Sequence, residues 1–253
     1  MKLFKCISGF ASACIFSFAA MSPATATPVI GIGSMYDVLM PDTQNMTKRI
    51  YNTGDSTAFV RVEILEVNPG IKNAQEESPQ KELSGNSLEK NRLIVTPLRL
   101  IIPPGGFQAV RILWPGERDK ERYFRVRFTP VMPEESDGFG LSKNAASEYR
   151  KTTLRAGLNV LTGYGTIVIV QPGKPVFNTV MDSASAAEVR VRNNGNATIS
   201  LDNIRQCKSA NTDCSTATRE FILPGRTYIV KKKAGFKTNF TLIEGNNKRE
   251  LEY

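Results

Sequence analysis

The sequence predicts an all-β protein: a β-sandwich, then a smaller second β unit behind a proline-rich hinge. Apolar residues recur with a period of two in short runs, as in strands whose side chains alternate between faces. The runs are separated by strong turn signals, among them Asn52-Thr-Gly-Asp55, Pro103-Pro-Gly-Gly106 and Asn193-Asn-Gly195. About seven runs precede Gln171-Pro-Gly-Lys-Pro175, a short stiff segment that reads as a domain boundary.

Composition narrows the function. Hydrophobic residues make up 41% of the 253 and charged residues 23%, which suits a globular chain. There is no histidine, so Ser-His-Asp and Cys-His catalysis and histidine-ligated metal sites are excluded. No phosphate-cradling glycine loop stands out, because Gly163-Tyr-Gly165 lies inside a strand pattern. No cofactor, metal or small-molecule substrate is expected. The net charge of +9 comes from scattered residues, with Lys231-Lys-Lys233 the one run. No aromatic-rich basic motif accompanies it, and no nucleic-acid partner is expected.

In chain order, residues 1–26 read as a secretory leader. Lys2 and Lys5 supply the positive start, Ile7 to Ala20 the apolar core and Ala24-Thr-Ala26 the cleavage site. Losing Lys2 and Lys5 with a segment that holds no acid leaves +7. It also removes Cys6 and Cys14, so Cys207 and Cys214 are expected to form one disulfide in an oxidising compartment. Closing that small loop contributes roughly 2.5 kcal/mol in the chain-entropy account. The sequence predicts strands around Val29 to Met40, Met46 to Tyr51, Thr57 to Val67, Leu93 to Val95, Leu98 to Ile102, Gln108 to Trp114 and Tyr123 to Thr129. Ile71 to Lys90 reads as a polar loop. Met132 to Lys151, about twenty residues without periodicity, reads as another, and such loops are usually functional. Past the hinge, strands are predicted around Ala187 to Arg192, Thr198 to Ile204, Arg219 to Leu223, Thr227 to Lys231 and Lys237 to Ile243.

The stretch from Leu154 to Val170 is unusual. Leu154, Ala156, Leu158, Val160 and Thr162 share one side of a predicted strand, and Ile167 to Val170 is a continuous β-branched run. The second part suits a strand covered on both faces. The first is an apolar row that no charge or proline blunts.

Several segments together resemble a known family. They are Leu93-Ile-Val-Thr-Pro97, Arg99-Leu-Ile-Ile-Pro-Pro-Gly105, Ala109-Val-Arg-Ile112 and Arg122-Tyr-Phe-Arg-Val-Arg-Phe128, then Val191-Arg-Asn-Asn-Gly-Asn-Ala197 and Cys207-Lys-Ser-Ala-Asn-Thr-Asp-Cys214 before Phe221-Ile-Leu-Pro-Gly225. Their order and spacing resemble the PapD-like periplasmic chaperones of chaperone–usher pilus assembly, in the branch serving CS1-type and common-pilus fimbriae. The resemblance implies two immunoglobulin-like sandwiches around a cleft, here residues 27–171 and 172–253. It implies a non-enzymatic periplasmic protein whose partners are pilin subunits and an outer-membrane usher. In the family's donor-strand complementation, the last strand of the first domain fills the groove of an incomplete pilin. The row Leu154, Ala156, Leu158, Val160 and Thr162 would be inserted. The better-known branch anchors the pilin carboxylate with two basic residues, but the matching positions fall near Ser34 and Ile167. Arg111 and Arg125 are the possible anchors instead.

Two other readings compete. A pilin or adhesin of the same fold would carry its donor segment at the mature N-terminus and lack a complete last strand. A carbohydrate-binding module would show clustered exposed aromatics, and Trp114 is the one tryptophan. Intact-mass spectrometry of exported material should find a chain beginning near Thr27, two hydrogens lighter than its reduced form. Two free thiols would remove the disulfide assignment.

Overall fold

A computed structural model of the chain describes residues 27–69, 75–79, 92–154, 161–185, 187–209 and 212–253. The predicted leader and three members of the alternating row, Ala156, Leu158 and Val160, lie outside the described residues. The first unit comprises β1 (Ile30–Gly31), β2 (Tyr36–Leu39), β3 (Asn45–Asn52), β4 (Ala58–Pro69), β5 (Gln75–Pro79), β6 (Ile94–Thr96), β7 (Arg99–Ile102), β8 (Phe107–Leu113), β9 (Arg122–Val131), helix α1 (Lys143–Leu154) and β10 (Tyr164–Val170). One sheet runs β1-β3-β8-β6, and the other runs β2-β10-β9-β4-β5 with β7 also on β4. Ile50, Val110 and Ile112 from the first sheet meet Val60, Leu100, Phe124, Val126, Phe128, Val168 and Val170 from the second. Trp114 is buried in this core, not displayed on a surface.

Three expectations are corrected here. The predicted first strand is two strands in different sheets, because the chain turns at Gly33, whose φ of 67° is left-handed. The polar segment after β4 contains β5, paired with β4 by backbone bonds that composition does not reveal. The supposed loop before β10 contains a short 3-10 turn, Glu135–Asp137, and helix α1. Ser142 begins α1: its carbonyl accepts from Ala146 N and its Oγ from Ala145 N. Leu154, read as the first residue of the alternating row, is therefore the last residue of a helix.

The second unit comprises β11 (Thr179–Ser185), β12 (Glu188–Asn193), β13 (Ile199–Ser209), β14 (Thr212–Cys214), β15 (Thr218–Ile222), β16 (Thr227–Lys231), β17 (Lys237–Glu244) and β18 (Asn247–Glu252). Sheet β11-β12-β16 faces sheet β14-β13-β17-β18, with β15 on β13, over Val189, Val191, Ile199, Leu201, Ile222, Val230, Phe240 and Leu242. Strands β11, β14 and β18 are additions to the predicted set. The Cys207–Cys214 disulfide is present and joins β13 to β14.

Both units turn the same corner. Asn52 donates from Nδ2 to Ser56 O and Ile102 O, and its Oδ1 accepts from Gly54 N. Asn193 donates to Ala197 O and Ile222 O and accepts from Gly195 N. Each asparagine is buried, and these bonds pair both sides of its amide. The glycines are required by close approach: a Cβ on Gly54 would sit 2.1 Å from Thr27 O, and one on Gly195 would sit 2.1 Å from Val176 O.

The units are joined by side chains from the segment between β8 and β9. Arg118 donates to the carbonyls of Leu39, Thr43 and Gln171, and its own carbonyl accepts from Gly173 N. Glu121 accepts from Thr198 N at 2.7 Å, from Thr198 Oγ1 at 2.5 Å and from Tyr123 Oη at 2.5 Å. Burial pushes the Glu121 carboxyl above its usual range, against the opposing pull of the bonds from Thr198 and Tyr123. Burial, with the neighbouring Glu121 charge, pushes the Tyr123 phenol up as well. A carboxyl whose pKa is higher folded than unfolded holds its proton more tightly when folded. Its contribution to stability is full below the unfolded value, near about 4.3, and is lost as pH rises through the raised folded value. Denaturant titrations from acid to neutral pH should show this component in the wild type and not in Glu121→Gln. Glu121→Ala, which strands buried donors, should cost about 3 kcal/mol near neutrality. Parallel pH profiles for wild type and Glu121→Gln would mean that Glu121 does not titrate in this window.

Candidate functional site

The two halves of β10 are held differently. Ile167–Val170 lies between β9, antiparallel, and β2, parallel, and Ile167 N donates to Met35 O. Among the described residues, Tyr164–Thr166 pairs with β9 alone. The even-numbered side chains point between the sheets: Thr166, Val168 and Val170 are buried, and Tyr164 packs against the core. Thr162 is exposed and precedes the strand. Gly163 stays close to β9, since a Cβ there would lie 3.2 Å from Phe128 O.

A buried ion pair sits where the second neighbour of β10 begins. Lys48 Nζ donates to Asp37 Oδ2 at 2.8 Å and to Ser34 O at 2.7 Å, and Thr166 Oγ1 donates to the same Asp37 oxygen at 2.7 Å. Lys48 is 5% exposed and Asp37 8%. The cluster ties β2 and β10 of one sheet to β3 of the other. Breaking such a pair from one side leaves a buried charge and typically costs about 3–5 kcal/mol.

The structure does not bring the two proposed arginines together. Arg111 lies on β8 between buried Val110 and Ile112, so it projects from the outer face of the first sheet. Arg125 lies on β9 between buried Phe124 and Val126, on the outer face of the second sheet. These faces look in opposite directions, so one carboxylate cannot meet both. Arg125 stands opposite Ile167 on one side and Leu65 on the other, and its aliphatic stem lies over Gly165, 3.3 Å from where a Cβ would be. Tyr36 completes the row beside Ile167 and stacks on Phe221 of the second unit, with centroids 4.1 Å apart. Arg127 shares this face two residues along, opposite Gly165. Sequence reading missed Tyr36 and Arg127. The period-two pattern of β9 marks Arg127 as equivalent to Arg125.

The far end of the same face is covered by the segment that leads into β10. Phe59 meets Phe139 and Tyr149 edge-on at 5.3 and 4.9 Å. Tyr149 Oη donates to Thr57 O, Arg61 pairs with Asp137 at 2.8 Å, and Arg99 Nε donates to Asp137 O. Ala146 and Thr153 of α1 are also buried. The stripe Ala146, Tyr149, Thr153 has helical spacing, a signal too weakly apolar to stand out in the sequence. Among the described residues there is no group of three or more metal-ligating side chains, and no helix is long and apolar enough to cross a membrane.

No family model matches the chain. It is 28% identical over 186 residues to a CS1 fimbrial subunit of Escherichia coli, covering 71% of each. It is 22% identical over 211 residues to the probable fimbrial chaperone EcpB of Escherichia coli strain K12, covering 83% of each. Among solved structures it is similar to the class 5 fimbriae chaperone CfaA, with a TM-score of 0.52 and 19% identity over 88% of this chain and 98% of that one. A chain of the Salmonella enterica SafA pilin–SafB chaperone complex gives 0.50 and 13% over 89% and 95%. At these identities the structural likeness is one of fold, two all-β sandwiches in series.

Tyr149→Ala should loosen α1 without unfolding the sandwich. Its edge-on ring contact and one hydrogen bond are each worth about 1 kcal/mol, so amide exchange across Lys143–Leu154 should rise about tenfold or more. An equal rise throughout the first unit would make α1 part of the scaffold.

Proposed function

We propose how this chain, a PapD-like fimbrial chaperone by its fold and its sequence relatives, handles pilin subunits. In the periplasm, after loss of residues 1–26, it captures an incomplete pilin by donor-strand complementation and delivers it to an outer-membrane usher. The two functional units are residues 27–171 and 172–253. The observation that carries the proposal is the half-paired β10. Its even-numbered side faces the interior of its own sandwich. In a strand continued in the same register, the even positions before it in sequence, Thr162, Val160, Leu158 and Ala156, would fall on that side. In a partner lacking a strand, that row fills the groove while main-chain bonds join the groove's edges. Each fully buried Leu or Val contributes roughly 1.5–3 kcal/mol before ordering costs. Leu154 joins the row only when the last turn of α1 unwinds.

Arg125 is the carboxylate anchor in this reading. Its stem is seated on Gly165, and Ile167 and Leu65 flank it, with Tyr36 beyond Ile167. Arg111 faces away from that site and has no part in it. A pilin or adhesin reading fits less well, because the first sandwich has a last strand of its own, in mid-chain, with a second sandwich following. No cofactor enters the reaction, which makes and breaks no covalent bond.

The test is recovery of a co-expressed pilin from the periplasm. Leu158→Asp and Val160→Asp should reduce recovery by about tenfold or more, since each sets a charge in an apolar groove, while Asn159→Asp should not. Arg125→Ala should weaken capture and Arg111→Ala should leave it unchanged, with the melting temperatures of all these variants near the wild type. Equal recovery across the row variants would remove donor-strand complementation by this segment.

A further inference from the structure

The end of the second unit remote from the first is tipped with lysines. β17 runs from this tip at Lys237 to Glu244, where the following Gly245 abuts Phe177 and lies near Met40 of the first unit. Eight strand residues span about 25 Å, so the tip stands well away from the surfaces assigned to pilin capture. Three chain reversals gather there, between β11 and β12, β13 and β14, and β16 and β17; Lys232 N bonds to Ala187 O to hold the first and third together.

The third reversal carries Lys231, Lys232 and Lys233, and Lys208 and Lys237 stand beside it. Lys237 is paired with Glu252 at 2.6 Å, and Lys208 lies 3.8 Å from Asp213. Among the described residues, no ion pair engages Lys231, Lys232 or Lys233. An open recess of about 520 Å³ lies between Lys208 and Lys233, with Ser215, Cys214 and Phe236 in its walls. Lys233 Nζ sits 4.1 Å from the centre of the Phe236 ring.

We infer that this tip docks on an anionic lipid bilayer, its lysines meeting headgroup phosphates and Phe236 facing the headgroup boundary. The chemistry selects this occupant. Lysine is a mobile point charge that suits laterally mobile phosphates, whereas a protein carboxylate in fixed geometry is better met by the arginine fork. Nucleic acid would need a free aromatic face for stacking, and Lys233 occupies that of Phe236. The tip is a projecting end, which a planar surface can approach.

The experiment is co-sedimentation of the full exported chain with vesicles of phosphatidylcholine alone or mixed with phosphatidylglycerol. Binding should require phosphatidylglycerol and fall steeply with salt. Each lysine at an anionic surface is worth about fivefold in affinity, so Lys231→Gln, Lys232→Gln and Lys233→Gln together should lose about a hundredfold. Lys120→Gln, Lys174→Gln and Lys248→Gln together remove the same charge away from the tip and should lose far less. An equal loss with both sets would make the attraction one of overall charge and overturn the assignment. So would displacement by millimolar inorganic phosphate, which identifies a free-anion site, or equally tight binding of a single-stranded oligonucleotide. Matching melting temperatures and intact pilin capture in the triple variant separate this result from misfolding and from any failure of the chaperone reading.

Discussion

One strand bears two incompatible demands, and the first unit is arranged around them. The second half of β10 is a β-branched run between two neighbours, with Val168 and Val170 in the core and Ile169 buried on the other face. Its first half has one neighbour among the described residues. A strand that offers an edge to a partner must not slip, since a one-residue shift exchanges its faces. The buried half resists slippage. β2 lies parallel to it, and the Lys48–Asp37–Thr166 cluster fixes β2, β3 and β10 to one another at the point where the second neighbour begins. A buried ion pair is a poor source of net stability but a strict condition on register, because any slip would strand a charge.

The same sandwich device serves twice in the chain. Asn52 and Asn193 close equivalent corners, each bonding a carbonyl four residues on and another across the sandwich, and each is followed by a glycine pressed against backbone. The junction between the units is built differently, from Arg118 on backbone carbonyls, Glu121 on Thr198 and the Tyr36–Phe221 stack. Arg118 and Glu121 come from one short segment before β9. The strand that carries Arg125 thus begins at the junction between the units, and the position of this proposed anchor is coupled to the fit between them.

In the proposed mode of capture, helix α1 adds a conformational cost. Its docking on Phe59 orders the segment that ends at Leu154, the first residue of the proposed donor row. In the proposed donor-strand mechanism, binding energy from Leu158 and Val160 must exceed whatever unwinding the end of this helix requires. The helix is held by tertiary contacts more than by its own sequence, since Thr152 and Thr153 at its end are poor helix formers.

By itself the sequence determined most of the strands, though not β5, β11, β14 or β18, nor the split of β1 from β2. It also determined the turns between them, the paired cysteines and the anomaly before β10. These follow from period-two alternation, from Asn-x-Gly and Pro-Gly chemistry and from residue counting, all of which are local. It did not determine which side of an alternating strand faces inward when both sides hold mixed residues. In β3, Lys48 is buried and Tyr51 exposed, because Asp37 supplies a partner that lies in another sheet. Nor did it separate Arg111 from Arg125, which have the same local pattern on strands of opposite sheets. α1 was illegible for a related reason: its stripe of Ala146, Tyr149 and Thr153 becomes a packing face only when Phe59 stands opposite. Glu121 and Thr198, 77 residues apart, make the same point. Period and turn chemistry are written along the chain, but the partner that decides whether a charge is buried, a face is covered or a helix holds is supplied from elsewhere in the fold.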